Sequence, residues 1–237
     1  MASSFAALLD LVLPAPCPGC GGAAARTGLC DGCTAELTAL APASVRPDPA
    51  PDGLPECRAV GPYQGMLREL VVGYKERGRR GLAGPLGDRL AAVVAACVPD
   101  GRAVVLVPVP TTARAARQRR GDHVLPLVRR AALRLRLAGR GAVVLRGLRA
   151  LPRPDSTGLT AAERARVARA TLVPRTGLSQ TLGKTSVSGA SAVVVVDDVM
   201  TTGATIAATC GVLASAGVAV DAAAVLAATQ RRRRHPL

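Results

Sequence analysis

The stretch Val193-Val-Val-Val-Asp-Asp-Val-Met-Thr-Thr-Gly-Ala-Thr205 decides the fold. Four consecutive β-branched residues, Val193 to Val196, predict a short strand buried on both faces, as in the middle of a parallel sheet. Asp197 and Asp198 follow where such a strand leaves the core. Thr201, Thr202, Gly203 and Thr205 are small hydroxyl and glycine positions. They open an Ala-rich helix, Ala204 to Ala216, with Gly217 as its cap.

That order implies a specific chemistry. A bend of free N–H groups at a helix N-terminus, lined by Thr hydroxyls, suits a phosphate dianion. Gly203 has no side chain, so the backbone can approach the anion closely. Two acids repel phosphate, but they accept hydrogen bonds from a sugar diol or hold Mg²⁺ through its waters. A phosphate at one end and a diol at the other describe a ribose 5-phosphate. The stretch closely resembles the phosphoribosyl pyrophosphate (PRPP) motif of type I phosphoribosyltransferases. The alternatives are a buried strand whose Asp pair caps the next helix, or a Mg²⁺ site in another α/β fold. Both halves of the motif in register favour the phosphoribosyl reading.

At 237 residues the chain can hold one α/β domain and a small appendage. The apolar share is 49%, enough for a core, although much of it is Ala. Phe5, Tyr63 and Tyr74 are the only aromatics, and the formal charge of +15 comes almost wholly from arginine, with Lys75 and Lys184 the only lysines. A basic surface attracts polyanions, and phosphorylated substrates and nucleic acid both qualify. No stretch is apolar enough to span a bilayer. The N-terminus has no Lys or Arg before its apolar part, and Asp10 interrupts that part, so it does not read as a signal peptide. An amphipathic helix, Ser4 to Leu13, is expected there, and a cytoplasmic protein with no membrane insertion.

Four of the seven cysteines form a cluster, Cys17-x-x-Cys20 and, nine residues on, Cys30-x-x-Cys33. Two such pairs among glycines (Gly19, Gly21, Gly22, Gly28, Gly32) can aim four thiolates at one tetrahedral centre. Zn²⁺ would staple a segment too short to fold alone. Two disulfides are the alternative, disfavoured in a reducing cytoplasm. The reading is a helix plus zinc knuckle over residues 1–38, then a Pro-rich linker over 39–57. A phosphoribosyltransferase-like domain over 58–230 and a basic tail over 231–237 complete it.

Within the main domain, Met66, Leu67, Leu70, Val71 and Tyr74 share one helical face. Lys75, Arg77, Arg79 and Arg80 follow and read as a solvated end or an anion contact, the former favoured for each one singly. A helix is expected over Gly84 to Ala96, and strands over Ala103 to Pro110, Ala142 to Leu145 and Val218 to Leu226. The Arg-rich loop after the first of these strands suits a diphosphate, since guanidinium forks bind phosphate oxygens in pairs. Arg117 and Arg120 are the candidates; the alternative for each is a solvated Arg face on the helix leading to Arg136. The polar stretch Arg146 to Leu159 precedes a helix over Ala161 to Ala170, for which Thr160 and Glu163 form a capping box. The segment holding Gly177 and Gly183 is a near miss to a nucleotide-triphosphate loop, because the glycines are spaced wrongly. With His123 and His235 as the only histidines, no His-based metal or triad chemistry is expected.

Taken together, the pieces resemble the ComF family of competence-associated phosphoribosyltransferase-like proteins. They are the four-cysteine knuckle, Tyr63-Gln64-Gly65 with Arg68, Leu70 and Lys75, and Val107-Pro108-Val109-Pro110 with its Arg loop to Gly121. Gly158-Leu159, Glu163-Arg164 and the acid–Thr-Thr-Gly motif complete the set. Three positions depart from the family pattern: Asp122-His123-Val124 where an aromatic-Asn-Gln run is usual, Ser156 for Gln and Val167 for Asn. The resemblance implies a mostly parallel sheet flanked by helices, with ligand at the carboxyl ends of its strands. It implies PRPP with Mg²⁺ as ligand, Asp197 and Asp198 at the ribose, and Thr201, Thr202, Gly203, Ala204 and Thr205 at the 5-phosphate. It also implies transfer of a phosphoribosyl group to an unidentified acceptor and a link to DNA uptake, with single-stranded DNA or competence proteins as partners. Two other classes compete: a non-catalytic nucleic-acid- or protein-binding module that keeps the pocket, and a purine or pyrimidine salvage enzyme.

Overall fold

The computed structural model describes residues 16–24, 28–112, 116–117, 121–152, 163, 166–167, 170–175 and 191–229. In chain order its elements are α1 (Asp31–Ala39), β1 (Ala43–Val45), β2 (Cys57–Pro62), α2 (Gly65–Lys75), α3 (Ala83–Cys97) and β3 (Val104–Pro108). There follow α4 (Val124–Leu137), β4 (Ala142–Val144), β5 (Leu148–Ala150), β6 (Leu172–Pro174), β7 (Ala192–Met200), α5 (Ala204–Ser215) and β8 (Ala222–Ala228). The expected helix over Ser4 to Leu13, Arg120, Ser156, Thr160, the near-miss loop and the basic tail lie outside the described residues. Among those described, Glu163, Arg166, Val167, Ala170 and Thr171 are helical, within or one residue beyond the segment predicted.

The valine run forms the middle of β7, where Val194, Val195 and Val196 are all fully buried. Each contributes about 1.5–3 kcal/mol by leaving water. Six strands make one sheet in the order β1-β2-β8-β7-β3-β4. The β1–β2 pair is antiparallel, and the remaining neighbours are parallel. β5 and β6 form a separate antiparallel pair. Successive side chains of β7 alternate between two cores. Val194 and Val196 pack with α2, α3 and α4, whereas Val193 and Val195 pack with Ile206, Ala207 and Leu213 of α5. The fold is therefore α/β, a mostly parallel sheet with helices on both faces.

Several elements differ from expectation. β7 continues through both aspartates to Met200, because β8 runs on beside it and pairs with Asp197, Val199 and Met200; the acids sit inside the strand rather than after it. β8 begins at Ala222 rather than Val218. Just before it, Asp221 accepts from the Val193 N–H at 2.8 Å and from Arg102 at 3.1 Å. β2, β5 and β6 carry too little pattern to be read from sequence. The proline-rich stretch 39–57 is more than a spacer: it holds β1 at the sheet edge, and Leu54 is buried within the core on the α5 side.

The arginines are used internally to an unexpected degree. Arg130 forms a bidentate pair with Asp88 at 2.7 and 2.9 Å, tying α4 to α3 beside Gly87, where a Cβ would meet Arg130 at 2.6 Å. Arg140 donates to the carbonyls of Val98, Pro99 and Arg102, Arg136 to that of Ala142 and Arg89 to that of Leu40. Among the described residues no helix is long and apolar enough to cross a membrane.

Candidate functional sites: a four-thiol cluster and a buried acid

The knuckle closes as its spacing predicts. The Sγ atoms of Cys17, Cys20, Cys30 and Cys33 all lie within 4.8 Å of one another, with Cys20 and Cys30 at 3.6 Å. A tetrahedral Zn²⁺ with bonds of about 2.3 Å needs sulfurs about 3.8 Å apart, so the donor set fits the ion, and the cysteines are unbridged. The Cys30 N–H points to the Cys17 sulfur and the Cys33 N–H to the Cys30 sulfur, both at 3.4 Å. Burial pushes the Cys17 thiol up, but the N–H groups of Cys30, Gly19 and Cys20 outweigh it and bring the pKa to about 6. Burial and the neighbouring cysteines push Cys33 the other way, well above the usual thiol range. A Cβ on Gly19 would lie 2.7 Å from the Cys33 sulfur, so a side chain there would push that ligand aside. Cys17, Leu29, Cys33 and Leu37 belong to the same buried cluster as α2, α3 and α4; the knuckle is seated on the main core.

The second site lies at the carboxyl end of β7. Asp198 is 3% exposed. Its Oδ1 accepts the Val199 N–H at 2.6 Å. Its Oδ2 lies 2.8 Å from Lys75 Nζ at the end of α2 and 2.7 Å from His123 Nε2 at the start of α4. These are close ion-pair contacts without the directed angles of hydrogen bonds. Burial raises the Asp198 pKa, yet His123 and Lys75 overcome it and hold the carboxyl down at about 2. Asp197 is partly exposed and accepts the Asp198 N–H at 2.8 Å. Burial, then the charge of Asp198, push it up to about 7. The two acids expected to act alike are thus in different states.

The partners of Asp198 change one sequence expectation and add a residue to the site. Lys75 is no solvated helix end, and His123, which the sequence left without a role, stands against the acid. The residues around His123 also acquire reasons. Asp122 caps α4 through the N–H groups of Val124 and Leu125, both at 3.1 Å. Tyr74 donates to the His123 carbonyl at 2.7 Å; its own hydroxyl is pushed up to about 12 by burial and by the charges of Asp122 and Asp198.

The threonine bend is only partly open. Thr201 is exposed, Thr202 and Thr205 are half-buried, and Ala204 is buried. Gly203 has φ +72, and a Cβ there would meet Leu54 at 3.1 Å and Pro47 at 3.3 Å. Its lack of a side chain thus serves packing and a left-handed turn. Beside Thr201 and Thr202 a cavity of about 360 Å³ remains, walled also by Arg46, Pro47, Asp48 and Thr229. Arg117 is exposed. Comparison with family models and with curated proteins finds no match to this chain.

Proposed function

We propose that the chain is a phosphoribosyltransferase-type protein of the ComF kind, which binds PRPP together with Mg²⁺ and passes its phosphoribosyl group to an acceptor. The reading rests on one observation above all. Two acids near the carboxyl end of a central parallel strand are followed two residues on by a Thr-Thr-Gly bend and the N-terminus of α5, and Thr201 and Thr202 of that bend line a cavity. Ligands of open α/β sheets collect at this end of the strands. Asp197, the more accessible acid, would accept hydrogen bonds from the ribose hydroxyls. The charge of Asp198 would steady the positive charge that grows on the ring as diphosphate leaves. Thr201, Thr202 and the first N–H groups of α5 would hold the 5-phosphate, and Arg117 and Arg120 the diphosphate. Mg²⁺ would arrive with PRPP as part of the substrate, while Zn²⁺ in the four-thiol cluster is structural. A role in DNA uptake follows from the family likeness alone.

The test is calorimetric titration of PRPP with Mg²⁺ into the full chain. Binding by the wild type and its loss in Asp197→Asn/Asp198→Asn are expected; binding unchanged in the double variant would end the reading. Following diphosphate release across a panel of bases and nucleic acids then separates an enzyme from a module that only binds. The nucleic-acid reading draws less support, because Arg130, Arg136, Arg140 and Arg89 face internal acceptors. Single-strand binders also usually stack bases on aromatics, and this chain has three aromatics in all.

A further inference from the structure

We infer that Lys75 and His123 are positioning residues: from two separate helices they hold Asp198 ionised and still beside Asp197, so that the two acids divide the work at the sugar. The inference rests on the proposed phosphoribosyl site and adds residues that neither the motif nor its spacing contains.

The geometry is that of a charge enclosed on all sides. The side chains of Asp198, Lys75 and His123 are 5%, 17% and 10% exposed. A carboxylate so far from water is costly unless cations or donors replace the water. Here the Val199 N–H takes one oxygen and two cationic or donor groups take the other. His123 Nε2 must carry its proton toward the carboxylate, since two lone pairs 2.7 Å apart would repel. Asp198 is thus turned toward these groups and 3% exposed, whereas Asp197 is partly exposed and open to a sugar hydroxyl. The contribution of Asp198 is a fixed negative charge next to Asp197, and Asp197 is the acid that touches substrate.

The ring of His123 is itself held. Tyr74 grips the His123 carbonyl, and the Asp122 cap fixes the turn that presents the ring. Lys75 lies one residue after Tyr74, so one helix end supplies both the cation and the grip. A purely structural ion pair would need neither the second donor nor the fixed turn.

The experiment measures Mg²⁺–PRPP affinity and melting temperature together for wild type, His123→Ala, His123→Gln, Lys75→Met and Lys75→Arg. His123→Gln returns an amide N–H at the reach of Nε2. Expected is an affinity loss of about tenfold for His123→Ala and Lys75→Met, with His123→Gln recovering most of it at a melting temperature no higher than that of His123→Ala. A merely structural pair would instead have affinity follow melting temperature across the series. Unchanged affinity in folded His123→Ala or Lys75→Met, or affinity that only tracks stability, overturns the inference while leaving the phosphoribosyl reading in place. Wild-type protein that fails to bind PRPP removes that reading and this inference with it. Should His123→Ala not fold, ¹⁵N spectra of the imidazole in wild type and Asp198→Asn decide the geometry: a protonated Nε2 that shifts on loss of the carboxylate supports it, and no shift overturns it.

Discussion

The four-thiol cluster and the buried aspartate pose the same physical problem, negative charge gathered in a small volume, and the chain meets it in opposite ways. The knuckle draws its ligands and supporting N–H groups from one short local stretch, 17–33, and asks for a cation from outside. Asp198 receives its partners from the chain itself, a cation at position 75 and an imidazole N–H at 123, from the ends of two different helices. The first arrangement is closed by neighbours in sequence; the second needs three distant elements to meet. Local spacing is visible in a sequence, whereas a partner supplied by tertiary packing is not.

Removing the cation from outside should have the largest effect. Cys17→Ser or Cys33→Ser, or chelation of the wild type, is expected to cost on the order of 4 kcal/mol and to release about one zinc per chain, read by metal analysis and thermal unfolding. Full stability after complete chelation would put the two sites on one footing. Removing the internal charge comes next: Asp198→Asn leaves Lys75 and His123 without their partner and should cost about 3 kcal/mol, measured by denaturant unfolding. Gly19→Ala sharpens the comparison at the local site. Its methyl would press on the Cys33 sulfur, 2.7 Å away, and should cost about 1–2 kcal/mol together with zinc affinity.

The smallest effect has the opposite sign. Folding raises the Asp197 pKa from 3.8 to about 7, so the folded state holds that proton more tightly, and stability is lost as pH climbs through this window. Asp197→Asn should therefore be more stable than wild type near about pH 8, on the order of 1 kcal/mol, with the gap closing near about pH 4. Asp198 behaves inversely. Its pKa falls from 3.8 to about 2, so its contribution is present above that window and fades as pH drops through it. Melting curves of the two single variants across pH that run parallel would show the acids to be equivalent after all.

How much of this was legible follows from the same contrast. The valine run, the helix after it, the apolar face of α2 and the cysteine spacing are local patterns, and each names its element. β1, β5 and β6 are three residues long, too short for alternation to show. The run Cys57–Pro62 mixes Arg58 and Gly61 with apolar residues and has no period. At the acid site the carboxylates were readable and their partners were not. Two weak signals did exist. Lysine at 75, in a chain with only one other, marks a place where a compact point charge is kept against an arginine habit. His123, with Asp122 and Val124, stands where an aromatic-Asn-Gln run is usual in the family it resembles.

The bonds from Arg140, Arg136 and Arg89 to main-chain carbonyls have a consequence for how such a protein meets its surroundings. Guanidinium groups fastened to the backbone act as splints, and a splint is a poor hand with which to grasp a passing polymer. The surplus of +15 keeps its field, but these arginines have fewer free donors with which to grip a phosphate. Exchanging these arginines for lysine would keep the sum and lose the fork that reaches several oxygens at once.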